Sequence, residues 1–367
     1  MPTLFDPIRL GAIEAPNRII MAPLTRGRAS MPGNIPNDVN RLYYEQRAGA
    51  GLIISEATGI SSEGLGWPKA PGIWSDAQVE GWKPVVKAVH DAGGRIICQL
   101  WHMGRIVHPS YNDGALPVSS SATTAPGQAW TLTGKQPFVE ARPLEISEVP
   151  RLLEDYRNAA EKAKAAGFDG VQLHAANGYL IDQFLRDNSN FREDEYGGSI
   201  ENRIRLLIEV TEVLISVWGA DRVSVRLSPN GDSQGVDDSN PEALFTAAAA
   251  ALDQLGIGFL ELREPGPEGT FGRTDVPKQS PVIRKVFKGP LVLNSDLTLE
   301  EGNALIESGL ADAVSYGRPF ISNPDLVERF RQGAALNEDK PMNWYIYEDP
   351  NEGYTDFPAL GDSEIAK

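Results

Sequence analysis

The chain has 367 residues, one cysteine and a formal net charge of -16, with 34 Lys and Arg against 50 Asp and Glu. No Lys/Arg run occurs, which argues against a nucleic acid or an anionic membrane as partner, because either needs a concentrated basic face. Cys98 alone excludes an intramolecular disulfide and a thiolate metal cluster, and 1–6 (MPTLFD) lacks the basic and apolar stretches of a signal peptide, so we expect a cytoplasmic protein.

Short apolar runs of strand length recur along the chain, with helical spacing between them. The first run, 18–22, leads into Pro23, Leu24 and Thr25, and the second, 52–55, into Glu56, Ala57 and Thr58. A helix is expected over 76–92, then a third strand over 95–100 that holds Cys98 as an inert thiol and ends near Gln99. The long connection 101–145 carries turn residues and Thr/Ser alternation, which predicts loops or a small hairpin. Next come a helix over 146–166 and a fourth strand over 170–174 that closes on His174. The connection 183–199 is polar and charged. Helices over 200–218 and 241–255 flank a fifth strand, 223–228, which carries Arg226. A sixth strand is expected over 259–263, and a seventh, 291–294, leads into Asn294, Ser295 and Asp296. After a helix over 299–308, the eighth strand, 313–317, leads into Gly317 and Arg318. Gly93, Gly167, Gly219, Gly256 and Gly309 each follow a helical stretch, as a left-handed C-terminal cap requires. Residues 335–367, with Pro341, Pro350 and Pro358, read as an irregular tail packed on the rest.

Eight strand–helix alternations without a break in composition predict an α/β fold, a closed (β/α)8 TIM barrel forming one domain over 1–367, with capping loops or a hairpin at its mouth. A doubly wound sheet would normally carry a glycine fingerprint after an early strand, and neither GxGxxG nor GxxxxGK[ST] occurs.

In such a barrel the strand ends converge on one mouth. Thr25, Gln99, Arg226 and the Asn294–Ser295 turn would present there a hydroxyl, two amides, a guanidinium and backbone N–H groups suited to a polar heteroaromatic ring. Gly317 and Arg318 are available for a phosphate. The segment His174 to Tyr179 adds an imidazole and the Asn177 carboxamide, both able to donate to an oxygen that gains negative charge, and a phenol able to deliver a proton. A cluster that merely caps a turn and packs is the plainer alternative. Trp67, Trp101, Tyr345 and Tyr347 could line a pocket or shield the rim. His90, His102, His108 and His174 show no metal-ligand spacing, so no metal is expected. Two enzyme readings stay open: paired-acid glycoside chemistry on Glu56 and Glu261, and an aldolase or isomerase that uses Arg318 for a phosphorylated substrate.

The motifs resemble those of the flavin-dependent ene-reductases of the Old Yellow Enzyme family over nearly the whole chain. They are Asn17-Arg18 before Ala22-Pro23-Leu24-Thr25-Arg26, Ser55-Glu56-Ala57-Thr58, Gln99-Leu100-Trp101-His102 with Gly104-Arg105, and His174-Ala175-Ala176-Asn177-Gly178-Tyr179. They continue with the string 194–203 (DEYGGSIENR), Arg226-Leu227-Ser228-Pro229, Gly317-Arg318, Asn323-Pro324-Asp325-Leu326 and Gly353-Tyr354-Thr355-Asp356.

The resemblance implies a (β/α)8 barrel with noncovalent FMN, reduced by NADPH or NADH, that reduces α,β-unsaturated ketones, aldehydes, maleimides and nitroalkenes as a monomer or homodimer. It places Pro23, Leu24, Thr25, Ala57 and Gln99 along the flavin ring, Arg226 at its N1 and O2 side, and Asn294, Ser295, Gly317 and Arg318 at the phosphate. His174 and Asn177 would hold the substrate oxygen and Tyr179 would protonate the α-carbon, while Trp67, Trp101, Tyr345 and Tyr347 supply the substrate wall. An ordinary helix would turn Tyr179 away from His174, so a tight turn after the fourth strand is required. The chain departs from the family at Trp67, where tyrosine is usual, and at 293–295, where the phosphate turn is usually richer in glycine. A barrel that only binds or stores flavin is the non-enzymatic alternative.

Overall fold

In the computed structural model, which describes residues 2–266, 272–345 and 347–362, eight parallel strands run in chain order around a closed barrel. They are β1 (Ile19–Met21), β2 (Leu52–Ile54), β3 (Ile96–Trp101), β4 (Val171–His174), β5 (Val223–Leu227), β6 (Phe259–Arg263), β7 (Leu291–Asn294) and β8 (Ala313–Tyr316). Each pairs with its predecessor and successor in the chain, and β8 pairs with β1, so the sheet has no open edge.

Alternation along the strands sorts the residues into two environments. One set, including Cys98, Leu100, Val171, Leu173, Val223, Val225, Leu260 and Leu262, packs outward against the helices. The other fills the barrel. Its lower layer is apolar: Ile20, Leu52, Ile54, Ile97, Phe259, Val292 and Ala313 form one cluster, joined by Leu10 and Ile13 of the hairpin Ile8–Leu10/Ile13–Ala15. That hairpin stops the bottom of the barrel. One step higher the interior turns polar, and Gln99, Gln172, Ser224, Arg226, Glu261, Asn294 and Ser315 are all buried there.

The surrounding helices are α1 (Asp38–Gln46), α2 (Asp76–Asp91), α3 (Val149–Ala166), α4 (Arg205–Trp218), α5 (Pro241–Leu255), α6 (Ser280–Val286), α7 (Leu299–Glu307) and α8 (Leu326–Gln332). The helix expected over 146–166 opens with a 3-10 turn, Ile146–Glu148, and that expected over 200–218 is split into Ile200–Arg203 and α4. Helices α1, α6 and α8 lie outside the helices expected from the sequence, and α6 and α8 span only seven residues each. α1 buries only Asn40, Tyr43 and Tyr44, and owes its start to Asn37, whose side chain caps it. Gly167 ends α3 in the left-handed region (φ 95°), whereas Gly219 after α4 combines φ 80° with an extended ψ of 149°.

The connection after β3 contains the expected hairpin, Gln128–Thr131 paired with Gly134–Pro137. The described tail residues beyond 335 are irregular apart from one 3-10 turn, Pro341–Asn343. Two arginines from the loop after β1 hold this tail by its backbone: Arg26 donates to the carbonyls of Trp344 and Gly353, and Arg28 to those of Asn343, Trp344 and Glu352. No described helix is long and apolar enough to cross a membrane.

Candidate active site

Strand register builds the site. β4 pairs with β5 so that His174 faces Arg226, β5 with β6 so that Arg226 faces Glu261, β6 with β7 so that Arg263 faces Asn294, and β7 with β8 so that Asn294 faces Ser315. His174, Arg226, Arg263 and Asn294 line a cavity of about 240 Å³ at the barrel mouth, and Glu261 and Ser315 are buried outside its lining.

Beneath the cavity lies a buried hydrogen-bonded network. Gln99 donates to Gln172 at 2.7 Å, and Gln172 to Glu261 at 3.0 Å. Glu261 also accepts from Arg226 at 2.7 Å and from the Ser315 hydroxyl at 2.6 Å. Arg226 in turn donates to Asn294 Oδ1 at 2.7 Å, and Asn294 Nδ2 to the Ser315 carbonyl at 2.8 Å. Glu261 thus supplies the counter-charge that makes a buried guanidinium tolerable. Glu56 does comparable service for the first loop. Its carboxylate accepts from the backbone N–H groups of Arg26 and Gly27 at 3.2 and 3.3 Å, next to Thr25, and burial raises its pKa. Neither Glu56 nor Glu261 lines the cavity, so the paired-acid glycoside reading fails.

The turn after β4 answers the geometric problem posed by the sequence. Asn177 (φ 60°) and Gly178 (φ 78°) are successive left-handed residues, and a Cβ on Gly178 would lie 2.3 Å from the Ser233 carbonyl oxygen, so only glycine fits there. The chain therefore folds back, and the Tyr179 ring stands edge-on to His174 at 5.0 Å and to Trp101 at 4.9 Å.

Protonation follows from these contacts. His174 Nδ1 accepts the backbone N–H of Ala176 at 3.4 Å, which leaves the proton of a neutral imidazole on Nε2. Burial, and then the charges of Arg226 and Arg263, hold its pKa well below the ordinary histidine value. Asn177 Oδ1 accepts from Arg263 at 2.9 Å, and so the carboxamide turns its N–H2 group the other way. Burial raises the Tyr179 phenol, which stays protonated through the neutral range. Two neutral donors and one proton reservoir thus share one wall.

The cavity gathers Pro23, Leu24, Thr25, Ala57, Trp67, Gln99, Trp101, His174, Asn177, Tyr179, Arg226, Asn294, Ser295, Gly317, Arg318 and Tyr345, the residues the sequence brought forward. Tyr347 departs from this expectation. Its hydroxyl donates to the Gly27 carbonyl at 2.7 Å and its ring lies under Arg28 at 4.0 Å, so it serves the tail and not the cavity. Tyr345 takes the pocket place, edge-on to Trp67 at 5.4 Å. Asp296, just beyond the seventh strand, lines the cavity as well, and sequence reasoning missed Gln234 and above all Arg263, which also line it. The signal for Arg263 was present: it lies two residues beyond the inward Glu261 on the same strand.

The donor set suits a flat polar ring with an anionic tail. Arg226 Nε and Ser295 Oγ are buried without a protein partner among the described residues, as expected of atoms that a ligand completes. Arg318 lies 2.5 Å from Asp296 at the end where the tail would sit. Among the described residues no lysine lines the cavity, which removes the basis for a Schiff-base aldolase.

Residues 3–337 match the NADH:flavin oxidoreductase / NADH oxidase family. The chain is similar to an old yellow enzyme homologue from Zymomonas mobilis, with 60% identity and a TM-score of 0.95 over 98% of this chain and 100% of that one. Morphinone reductase in complex with tetrahydroNAD is similar at 45% identity, with a TM-score of 0.92 over 99% of each chain. Among curated proteins, 12-oxophytodienoate reductase 2 of Arabidopsis thaliana is 40% identical over 365 residues, which is 97% of this chain and 96% of the relative.

Proposed function

Because the chain belongs to the NADH:flavin oxidoreductase / NADH oxidase family, and within it to the Old Yellow Enzyme family, it is an FMN-dependent NAD(P)H oxidoreductase, and we propose that its substrates are activated alkenes. These are α,β-unsaturated ketones, aldehydes, maleimides and nitroalkenes. The observation that carries this reading is the wall on which the neutral donors of His174 and Asn177 stand beside the protonated phenol of Tyr179.

Pro23, Leu24, Thr25, Ala57 and Gln99 would hold the flavin ring, with Arg226 at its electron-rich edge and Asn294, Ser295, Gly317 and Arg318 toward the phosphate. The chemistry FMN supplies when bound is delivery of a hydride to the β-carbon, after its reduction by NAD(P)H. The protein's own contribution lies opposite. His174 Nε2–H and the Asn177 carboxamide donate to the carbonyl or nitro oxygen, which polarises the alkene and offsets the charge that develops there. One preorganised donor of this kind typically contributes about 3 kcal/mol to the transition state. Tyr179 gives its Oη proton to the α-carbon, and its raised pKa keeps that proton in place until an enolate-like acceptor forms. Trp67, Trp101 and Tyr345 enclose the alkene and exclude water.

The test is to load the protein with FMN and follow NADPH oxidation with 2-cyclohexenone. Turnover to cyclohexanone supports the reading, and NADPH oxidation without loss of the alkene refutes it.

A further inference from the structure

Gln234, in the loop after β5, lines the cavity in a conformation that a glutamine rarely adopts, with φ 60° and ψ 20°. Its surroundings hold it there. The buried Arg105 donates through Nη2 to the Gln234 carbonyl at 2.9 Å and through Nη1 to the Thr123 hydroxyl at 3.0 Å. Gly235 follows at φ 76°, so close to the connection after β3 that a Cβ on it would lie 2.5 Å from Pro126 Cδ. Strained backbone fixed by several contacts at a cavity wall is characteristic of a functional side chain. This side chain lies against the turn that carries the phenol: a Cβ on Gly178 would stand 2.7 Å from Gln234 Cβ and 3.1 Å from its Cγ. Gln183 ties the same parts together, because its Nε2 donates to the Gly178 carbonyl at 2.8 Å and its Oε1 accepts the Arg105 backbone N–H at 3.1 Å. Burial raises the Tyr179 phenol, and a hydrogen bond with the Gln234 side chain opposes that shift, the sign expected of an amide N–H that donates to the phenol oxygen.

Resting on the proton-donor reading of Tyr179 above, we propose that Gln234 is a positioning residue for alkene reduction: its carboxamide N–H holds the Tyr179 oxygen, so that the phenol proton faces the α-carbon. As that proton leaves, the electron pair of the O–H bond stays on the phenolate oxygen. The same N–H then stabilises the phenolate until water returns a proton, and a hydrogen bond to a charged oxygen is the stronger one. Reduction of FMN by NADPH needs no proton from Tyr179, so only the alkene half-reaction depends on the contact.

The experiment follows, by anaerobic stopped flow, reoxidation of the NADPH-reduced, FMN-loaded protein by 2-cyclohexenone. It compares wild type, Gln234→Met, Gln234→Glu, Tyr179→Phe and the double variant Gln234→Met with Tyr179→Phe. A hydrogen bond that strengthens as charge forms predicts roughly tenfold slower reoxidation in Gln234→Met, with reduction by NADPH close to wild type. Gln234→Glu keeps the length but has no N–H to donate, and should be at least as slow. Gln234→Met should add nothing once the phenol is gone. An unchanged rate in Gln234→Met, or the same slowing with and without the phenol, overturns the proposal. A second readout needs no turnover: Gln234→Gly suits the left-handed backbone, so Tm of the FMN-free protein should hold or rise, although the loaded variant is as slow as Gln234→Met. A Tm several degrees lower makes Gln234 a structural residue and overturns the proposal. Reoxidation at the wild-type rate in Tyr179→Phe alone sinks the proton-donor reading itself, and this proposal with it.

Discussion

Removing the counter-charge of Arg226 probes the physical basis of the site. Glu261 is fully buried and accepts from Arg226, Ser315 and Gln172. Glu261→Gln keeps the shape but leaves a buried guanidinium without its carboxylate, a change that costs about 3–5 kcal/mol. At an unfolding entropy of roughly 2 cal/mol/K per residue, a chain of 367 residues has about 0.8 kcal/mol/K in total, so Tm should fall by about 4–6 °C. Differential scanning fluorimetry of the FMN-free protein measures this directly. The double variant Arg226→Met with Glu261→Gln removes both charges, and its loss should be clearly smaller than the two single losses combined. A shift below about 1 °C for Glu261→Gln, or strict additivity in the double variant, would refute the claim that Glu261 neutralises Arg226.

Tyr179→Phe should slow the alkene half-reaction by roughly 100-fold or more while slowing NADPH oxidation far less; stopped-flow traces showing equal damage to both would remove the proton-donor role. His102 is buried, its Nδ1 accepts the Gly104 N–H, and burial pulls its pKa down to about 3. Between that value and the ordinary 6.5 the unfolded chain binds a proton that the folded chain refuses, so stability is lost as pH falls below about 6.5, by about 2.7 kcal/mol over two pH units. His102→Asn keeps the acceptor without a titrating ring, and its Tm should fall less steeply with acid than that of wild type; identical slopes would contradict the assignment. Arg28→Met removes the contacts to the carbonyls of Asn343, Trp344 and Glu352, and limited proteolysis should then cut the tail several-fold faster than in wild type. An unchanged cleavage rate would show that the tail is held by other contacts.

The barrel is legible because each strand declares itself locally by a short apolar run, and most of the helical stretches between the runs end at a glycine. Helices α1, α6 and α8 are not, since the first begins on a side-chain cap and the other two span only seven residues each. For the site, residues at strand ends such as Gln99, His174 and Arg226 could be read from position alone. Tyr345 and Tyr347 could not be told apart, because their fates depend on how Arg26 and Arg28 grip a tail more than 300 residues away. Arg263 does not stand out in the sequence although period two from Glu261 points it inward, because its place in the site comes from the contact with Asn177, 86 residues away. The counter-charge role of Glu261 needed the register of four strands, β5 to β8, together.

The most direct test of the account is product analysis under anaerobic conditions with FMN-loaded protein, NADPH and N-methylmaleimide. Cys98 is buried with its thiol pushed up to about 12, so the maleimide has no reactive thiol to consume it. One equivalent of N-methylsuccinimide per NADPH oxidised, formed roughly 100-fold more slowly on Tyr179→Phe, is the predicted result. A maleimide left intact in the presence of NADPH, or succinimide formed at an unchanged rate in Tyr179→Phe, would contradict it.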